Sequence, residues 1–479
     1  MGLEPDSLHA RHQNSIASPV VRLWVSLLCL GAFLIGLWQF DRASPSVTYG
    51  VLPIEPPTPY THFQPDSDPI DQVVLVHGLN SNKELMGTLG LSLADSGFET
   101  YAIDLPGHGD SDVPFSAIGS GLAIEAVLDY LGSAPIVVGH SMGGGLLVDL
   151  APIRSFRKMV LLSPAPVPVE SFDAGQTLII TGHLDAPRIN EFIPQLIGAA
   201  GSAAEWWSFE YGAHSSALFK PTTLRLASRW MGGRPDSDRT VERFAWLVLM
   251  ALTGIIGALV LLPSAPDRSE LRALDSPDLP RTLVSVVAAA GAAILILRVV
   301  VPLSWIRLFA TDYLMSFVLL AGLLLWRGQW LRTSRHSLMV GVIAATYVLT
   351  FFAVGVGSHF IHQIPSGTQW MRFPVLTMAS FPLFMFDELQ LRSIRGGPER
   401  AFAFLTTRII LWAAVITGVL LLNPDSSFLV LITHLVVLFW LVLWWMAGFV
   451  RRATADPVAT ALFSALVQGW AFAALFVRI

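Results

Sequence analysis

Hydrophobic and polar positions change their rhythm near residue 243. From Asp71 to about Gly232 short apolar runs alternate with stretches of helical periodicity; after 243, long apolar stretches succeed one another with brief polar breaks. Runs rich in β-branched residues predict strands at Val73–Val76, Glu99–Ile103, Ile136–Val138, Met159–Leu162, Thr177–Ile180 and Trp206–Tyr211. Between and after them, Glu84–Ser96, Gly121–Leu131, Met142–Leu150, Arg188–Ala199 and Thr222–Trp230 predict helices. Alternation of this kind is the mark of βαβ units and a mostly parallel sheet, and near-continuous apolar strands are those buried on both faces. The pattern delimits an α/β domain at 71–232.

The flanks predict membrane segments. After an N-terminal tail (1–22), Leu23–Phe40 is an apolar run long enough to cross a hydrocarbon layer of ~30 Å at 1.5 Å per residue. No small-x-small site follows it, which favours an uncleaved transmembrane anchor over a signal peptide. Residues 41–70 carry Pro45, Pro53, Pro56, Pro57, Pro59, Pro65 and Pro69 and read as an extended connector with one short strand at Ser46–Leu52. A polar linker (233–243) leads to 244–479, where eight spans are predicted: Phe244–Pro263, Thr282–Val301, Leu308–Trp326, Leu338–Gly357, Phe373–Phe386, Ala401–Leu422, Phe428–Val450 and Val458–Val477. The fold class is thus an α/β domain joined to an all-α transmembrane bundle.

Composition agrees: 53% of the 479 residues are hydrophobic and 14% are charged, against about 25% charged in soluble domains. A net charge of −5 without a dense Lys/Arg run argues against nucleic acid as a partner. The single cysteine, Cys29, excludes a disulfide framework within the chain. With the N-terminus inside, inner loops hold Arg268, Arg272, Arg281, Arg327, Arg332, Arg335, Arg392, Arg395, Arg400, Arg451 and Arg452, and short outer loops only Arg307 and Arg372. The positive-inside rule then places the α/β domain outside the cytoplasm. The excess of Arg over Lys fits a bacterial plasma membrane.

Chemistry concentrates in the α/β domain. The strand at Ile136–Val138 runs into Gly139-His140-Ser141-Met142-Gly143, a G-x-S-x-G pattern, and then into a helix. A serine on so sharp a strand-to-helix turn has a strained backbone that only small neighbours tolerate, and the helix start offers N–H groups to developing negative charge. The domain resembles the α/β-hydrolase family in its serine esterase/lipase-like branch. Two further segments carry the resemblance: His77-Gly78-Leu79-Asn80 after the first strand, and Asp104-Leu105-Pro106-Gly107-His108-Gly109-Asp110-Ser111 after the second.

The resemblance implies a Ser, acid, His order. Ser141 is the expected nucleophile, His214 after the last strand the expected base, and Asp185 after the preceding strand the expected acid, with Asp173 the lesser candidate. Leu79 and Met142 are expected to supply the backbone N–H groups of an oxyanion hole, and Gly139, His140 and Gly143 to complete the nucleophile elbow. The segment Ser163–Gln176 is too short for the cap that family members often insert, which leaves an open site. His77 and His108 are expected to orient loops, His140 to pack in the elbow and His183 to lie on a loop.

Within the spans, Arg298 and Asp312 are expected to pair, and Arg408 to meet Asp387 or Glu388. His359 and His362, in an outer loop, lack a third metal ligand, and His434 is expected to bond a neighbouring helix. The residues imply no metal and no organic cofactor. The expected activity is cleavage of an ester of a small-molecule or lipid acyl substrate at the bilayer. Two alternatives stay open: acyl transfer by the same residues, and a transporter or scaffold bundle with an accessory hydrolase-like domain.

Overall fold

The computed structural model describes residues 19–132, 136–169, 175–261, 278–299, 311–326, 332–352, 364–365, 367, 369–394, 397–422 and 433–475. Asp173, His359, His362 and the loop arginines Arg268, Arg272, Arg307, Arg327 and Arg395 lie outside them.

Eight strands form one sheet: β1 (Ser46–Leu52), β2 (Thr58–Gln64), β3 (Gln72–Val76), β4 (Glu99–Ile103), β5 (Ile136–His140), β6 (Lys158–Leu162), β7 (Gln176–Gly182) and β8 (Ala204–Phe209). Their order is β1-β2-β4-β3-β5-β6-β7-β8. Pairing is parallel from β4 to β8, whereas β1 and β2 run antiparallel at one edge. Helices α2 (Gly87–Asp95), α3 (Ala117–Leu131), α4 (Met142–Leu150), α5 (Pro187–Ala200) and α6 (Pro221–Met231) cover the sheet. Side chains alternate across the pleat: Val73 and Leu75 enter the core on one face, Val74 and Val76 that on the other, and all four are fully buried.

The strand at Ser46–Leu52 has the expected bounds; β2 was not expected. Its sequence, Thr-Pro-Tyr-Thr-His-Phe-Gln, alternates weakly and contains Pro59. The proline sits second in the strand, where its missing N–H costs little, and its carbonyl still accepts from Asp104 N–H at 2.9 Å. The sheet therefore begins at Ser46, within the stretch read as connector.

The sheet core runs on into two long helices, α1 (Pro19–Arg42) and α7 (Thr240–Leu261), which pack along each other. Phe40 and Met250 are buried with sheet residues, and Phe33, Leu37, Trp246 and Leu247 lean on the same cluster. Arg243, 3% exposed, pins the junction by donating to Ala43 O (2.9 Å) and Asp95 Oδ2 (2.8 Å). The polar linker holds a 3-10 turn, Pro235–Ser237, and the first turn of α7.

Among the described residues seven further helices follow: α8 (Leu279–Val299), α9 (Thr311–Trp326), α10 (Arg335–Phe352), α11 (Gln369–Phe386), α12 (Gly397–Leu422), α13 (Thr433–Thr454) and α14 (Pro457–Leu475). With α7 they fall on the eight expected spans. Among the described residues, six helices, α1, α7, α8, α12, α13 and α14, are long and apolar enough to cross a membrane. Small residues allow close crossings: a Cβ at Gly469 of α14 would stand 2.7 Å from Thr377 N of α11. A π-helical turn, Asp387–Leu391, extends α11. There Arg408 pairs with Asp387 as expected, and Glu388 pairs instead with Arg392 (2.5 Å) and Arg451 (2.6 Å). Arg298 and Asp312 form no ion pair with each other; Asp312 instead accepts from Tyr313 N–H at 2.8 Å. His434 lies in α13.

Candidate active site

Ser141 stands between the end of β5 and the start of α4 with φ 53° and ψ −118°, in the left-handed region that costs a non-glycine residue strain. Its surroundings impose that geometry. Ser141 N–H donates to Leu162 O at 3.0 Å, and Ser141 O accepts from Gly145 N–H at 3.0 Å and Ala165 N–H at 2.8 Å. Neither elbow glycine has room for a side chain. A Cβ at Gly139 would lie 2.7 Å from Gly143 O, and one at Gly143 would lie 2.4 Å from Val76 O.

The loop after β8 brings His214 to this serine, with Nε2 2.8 Å from Ser141 Oγ. The loop after β7 brings Asp185 to the far side of the ring, with Oδ1 2.9 Å from His214 Nδ1. Three residues expected from separate loops thus form one hydrogen-bonded chain. Burial alone would raise the Asp185 carboxyl, but the hydrogen bond and charge of His214 outweigh it and hold it below its usual range. Ala186 N–H adds a further bond to Oδ1 at 2.8 Å. With Nδ1–H committed to the carboxylate, Nε2 is the nitrogen left to accept the Ser141 proton.

The remaining histidines do other work. His140 Nε2–H donates to the backbone carbonyl of His214 at 3.3 Å, and the two rings lie 5.0 Å apart. It braces the loop that carries His214, a role not apparent from the sequence, where nothing links positions 140 and 214. His77 Nδ1–H donates to Gly78 O at 2.8 Å while Nε2 accepts from Leu105 N–H at 3.1 Å. His108 Nδ1–H donates to Pro106 O at 2.9 Å. These two hold loops, as expected. Burial, reinforced by His108, drives the His77 imidazole well down; burial takes His108 to about 4 and, with help from His214, His140 to about 3. All three are neutral near pH 7. His183 is exposed.

Lys83 was not anticipated. It is 2% exposed, and its Nζ lies 2.8 Å from Asp104, 2.6 Å from Asp110 and 2.8 Å from Glu84. Asp104 also accepts from Lys83 N–H (2.8 Å) and Asp110 N–H (2.9 Å). Burial opposes the ammonium charge, but the three carboxylates outweigh it and raise the Lys83 pKa. This knot ties the loop 77–83 to the turn after β4. The one sequence hint was the buried Asp of the Asp104–Ser111 motif, which needs a counter-charge.

Two backbone N–H groups belong to neighbours of Ser141: Met142 follows it in the chain, and Leu79 follows Gly78, which approaches it closely. Met142 opens α4 and so has no intrahelical acceptor, and Leu79 follows His77-Gly78; neither N–H finds an acceptor among the described residues. Gly78 is the close neighbour that lets this loop reach the serine, since a Cβ there would lie 2.9 Å from Ser141 Cβ.

Residues 73–305 match the model of the alpha/beta hydrolase family, and the eight-stranded, mostly parallel sheet flanked by helices is the α/β-hydrolase fold. The zebrafish (Danio rerio) protein ABHD14A is 31% identical over 164 residues, which cover 29% of this chain and 59% of that protein. The chain thus spans under two thirds of that relative's length. Among solved structures, the monoacylglycerol lipase of Paleococcus ferrophilus is 18% identical, covering 36% of this chain and 97% of that one, with a TM-score of 0.31. An alpha-beta serine hydrolase homologue from Coxiella burnetii is 17% identical over 38% and 95% of the two chains, with a TM-score of 0.33.

Proposed function

We propose that this α/β-hydrolase-fold domain is the working part of a membrane-embedded serine hydrolase that cleaves an ester of a small-molecule or lipid acyl substrate. The observation that carries the reading is the hydrogen-bonded chain from Asp185 through His214 to Ser141 Oγ, at 2.9 and 2.8 Å. A serine hydroxyl is a weak nucleophile until an imidazole takes its proton, and Nε2 of His214 is at the right distance to take it.

In the first step Ser141 Oγ attacks the ester carbonyl carbon as its proton passes to His214 Nε2. Negative charge gathers on the carbonyl oxygen between the N–H groups of Leu79 and Met142. The bond to the alkoxy oxygen then breaks, His214 returns the proton to the departing alcohol, and the acyl group stays on Ser141. Water, deprotonated by His214, attacks that acyl ester; the bond to Ser141 Oγ breaks, His214 returns the proton to that oxygen, and the acid leaves. Asp185 stays ionised throughout and stabilises the imidazolium that forms twice per turnover.

The six apolar helices and the arginine-rich inner loops support a bilayer setting with the α/β domain on the outer side. The test is turnover of a short-chain ester by the full-length protein. Ser141→Ala removes one oxygen and leaves the elbow glycines, so folding should persist while turnover falls by at least about 10⁴-fold. Normal turnover in that variant would refute the assignment.

A further inference from the structure

The loop that carries the Leu79 N–H is clamped at both ends from within the α/β domain. At one end, Leu105 N–H donates to the His77 ring; at the other, Asp104 holds Lys83 through its backbone N–H and its ammonium. The stretch between has a different support. The largest apolar cluster of the bundle is built from buried residues of α8, α9 and α11–α14, and Leu79 of the α/β domain packs against it. A second approach lies close by. A Cβ at Gly367, between α10 and α11, would stand 3.3 Å from Oδ1 of Asp112, in the turn that also supplies Asp104 and Leu105. The loop with Leu79 therefore touches the bundle, and the turn at Asp112 lies close to it.

We infer that the bundle is a positioning element for the oxyanion hole, acting through the side chain of Leu79 on that residue's own backbone N–H. The inference rests on the proposed role of Ser141. An oxyanion donor acts only when it lies within about 2.7–3.1 Å of the developing charge, and loss of one donor costs about 10²–10³ in kcat. Leu79 is half-buried and belongs to no helix or strand, so nothing in the local backbone ladder fixes its N–H. The side chain resting on the bundle fixes it instead. This couples the two halves of the chain: a shift in the outer ends of the bundle helices alters the catalytic rate without touching Ser141, His214 or Asp185. Leu79 is thus a positioning residue through its side chain.

The test uses the full-length protein in liposomes with a soluble short-chain ester, so that delivery of substrate from the bilayer does not enter. Leu79→Ala keeps the N–H and removes the anchor. The expected result is a fall in kcat of about 10-fold or more with KM changed by less than about 3-fold, because a donor displaced by a fraction of an ångström fails the transition state before it fails the substrate. Affinity for a trifluoromethyl ketone, which forms a tetrahedral oxyanion on the serine, should fall in parallel. Leu79→Met, which refills the contact, should recover most of both. On the bundle side, Gly367→Ala, strained at φ +44°, should lower kcat and ketone affinity in the same ratio. Should Leu79→Ala fail to fold, Leu79→Val carries the same comparison with a smaller expected loss. Full kcat in folded Leu79→Ala, or a kcat loss without loss of ketone affinity, would overturn the inference. Turnover by Ser141→Ala would instead overturn the reading of the site itself.

Discussion

At the scale of single residues, roles follow from which atom faces which. His214 contacts both Ser141 and Asp185, so His214→Ala should cost nearly as much turnover as Ser141→Ala, and Asp185→Asn somewhat less, about 10²–10⁴-fold. Steady-state ester hydrolysis checks the ranking, and additive losses in a double variant would contradict a chain that acts as one unit. Ser141, His214 and Asp185 were expected on the resemblance to the α/β-hydrolase family, which places them after successive strands, and the fold brings their side chains into one hydrogen-bonded chain. His140 and Lys83 were not, since their partners, a backbone carbonyl and a knot of carboxylates, are set by the fold. The buried imidazoles also predict acid sensitivity. His77, His108 and His140 have folded pKa values depressed by burial, so the unfolded chain binds more protons below about pH 6.5. Their contribution is complete above that pH and is lost as pH falls, for His108 toward 4 and for His140 toward 3, by up to about 1.4 kcal/mol per pH unit for each of these two rings. Denaturation midpoints at pH 7 and 5 should show lower stability at pH 5. Equal or greater stability at pH 5 would mean that these rings are not held neutral.

At the scale of elements, legibility tracks a clean apolar pattern rather than burial: the largely exposed β1 has its expected bounds, whereas the largely buried β2 does not show in the pattern. The central strands β3 to β7 are short apolar runs, and their pattern suffices to place them within a residue or two. β2 escaped because it pairs on both sides while its polar residues break the apolar run and Pro59 suggests a turn. In the bundle, apolar length was enough to place the helices, but side-chain pairing was less readable: Arg408 met Asp387, whereas Arg298 and Asp312 did not meet. The Arg408–Asp387 pair sits almost wholly buried at a π-turn, with the guanidinium over the rings of Phe404 (4.6 Å) and Trp440 (5.2 Å). Removing one partner leaves an uncompensated buried charge, at a cost of about 3–5 kcal/mol, whereas replacing both by apolar residues is far milder. Arg408→Met should therefore lower the melting temperature sharply, and Asp387→Leu added to it should restore much of the loss. A double variant less stable than either single one would contradict that reading.

At the scale of the whole molecule, α1 and α7 share a core with the sheet, and Leu79 and Gly367 bring the bundle to the site. The sequence showed two halves and an open site. It did not show their contact, because residues 79 and 367 carry no pattern that links them. The helices, the arginine asymmetry and the open site belong to one account, in which an acyl substrate meets Ser141 on the outer side of a bilayer. The most direct test is labelling by a membrane-impermeant fluorophosphonate, on intact and on lysed cells, followed by mapping of the modified peptide. The account predicts a single adduct on Ser141, formed equally in both preparations and absent from Ser141→Ala. An adduct on another residue, or none, would contradict the assigned nucleophile, and labelling only after lysis would contradict the assigned side of the membrane.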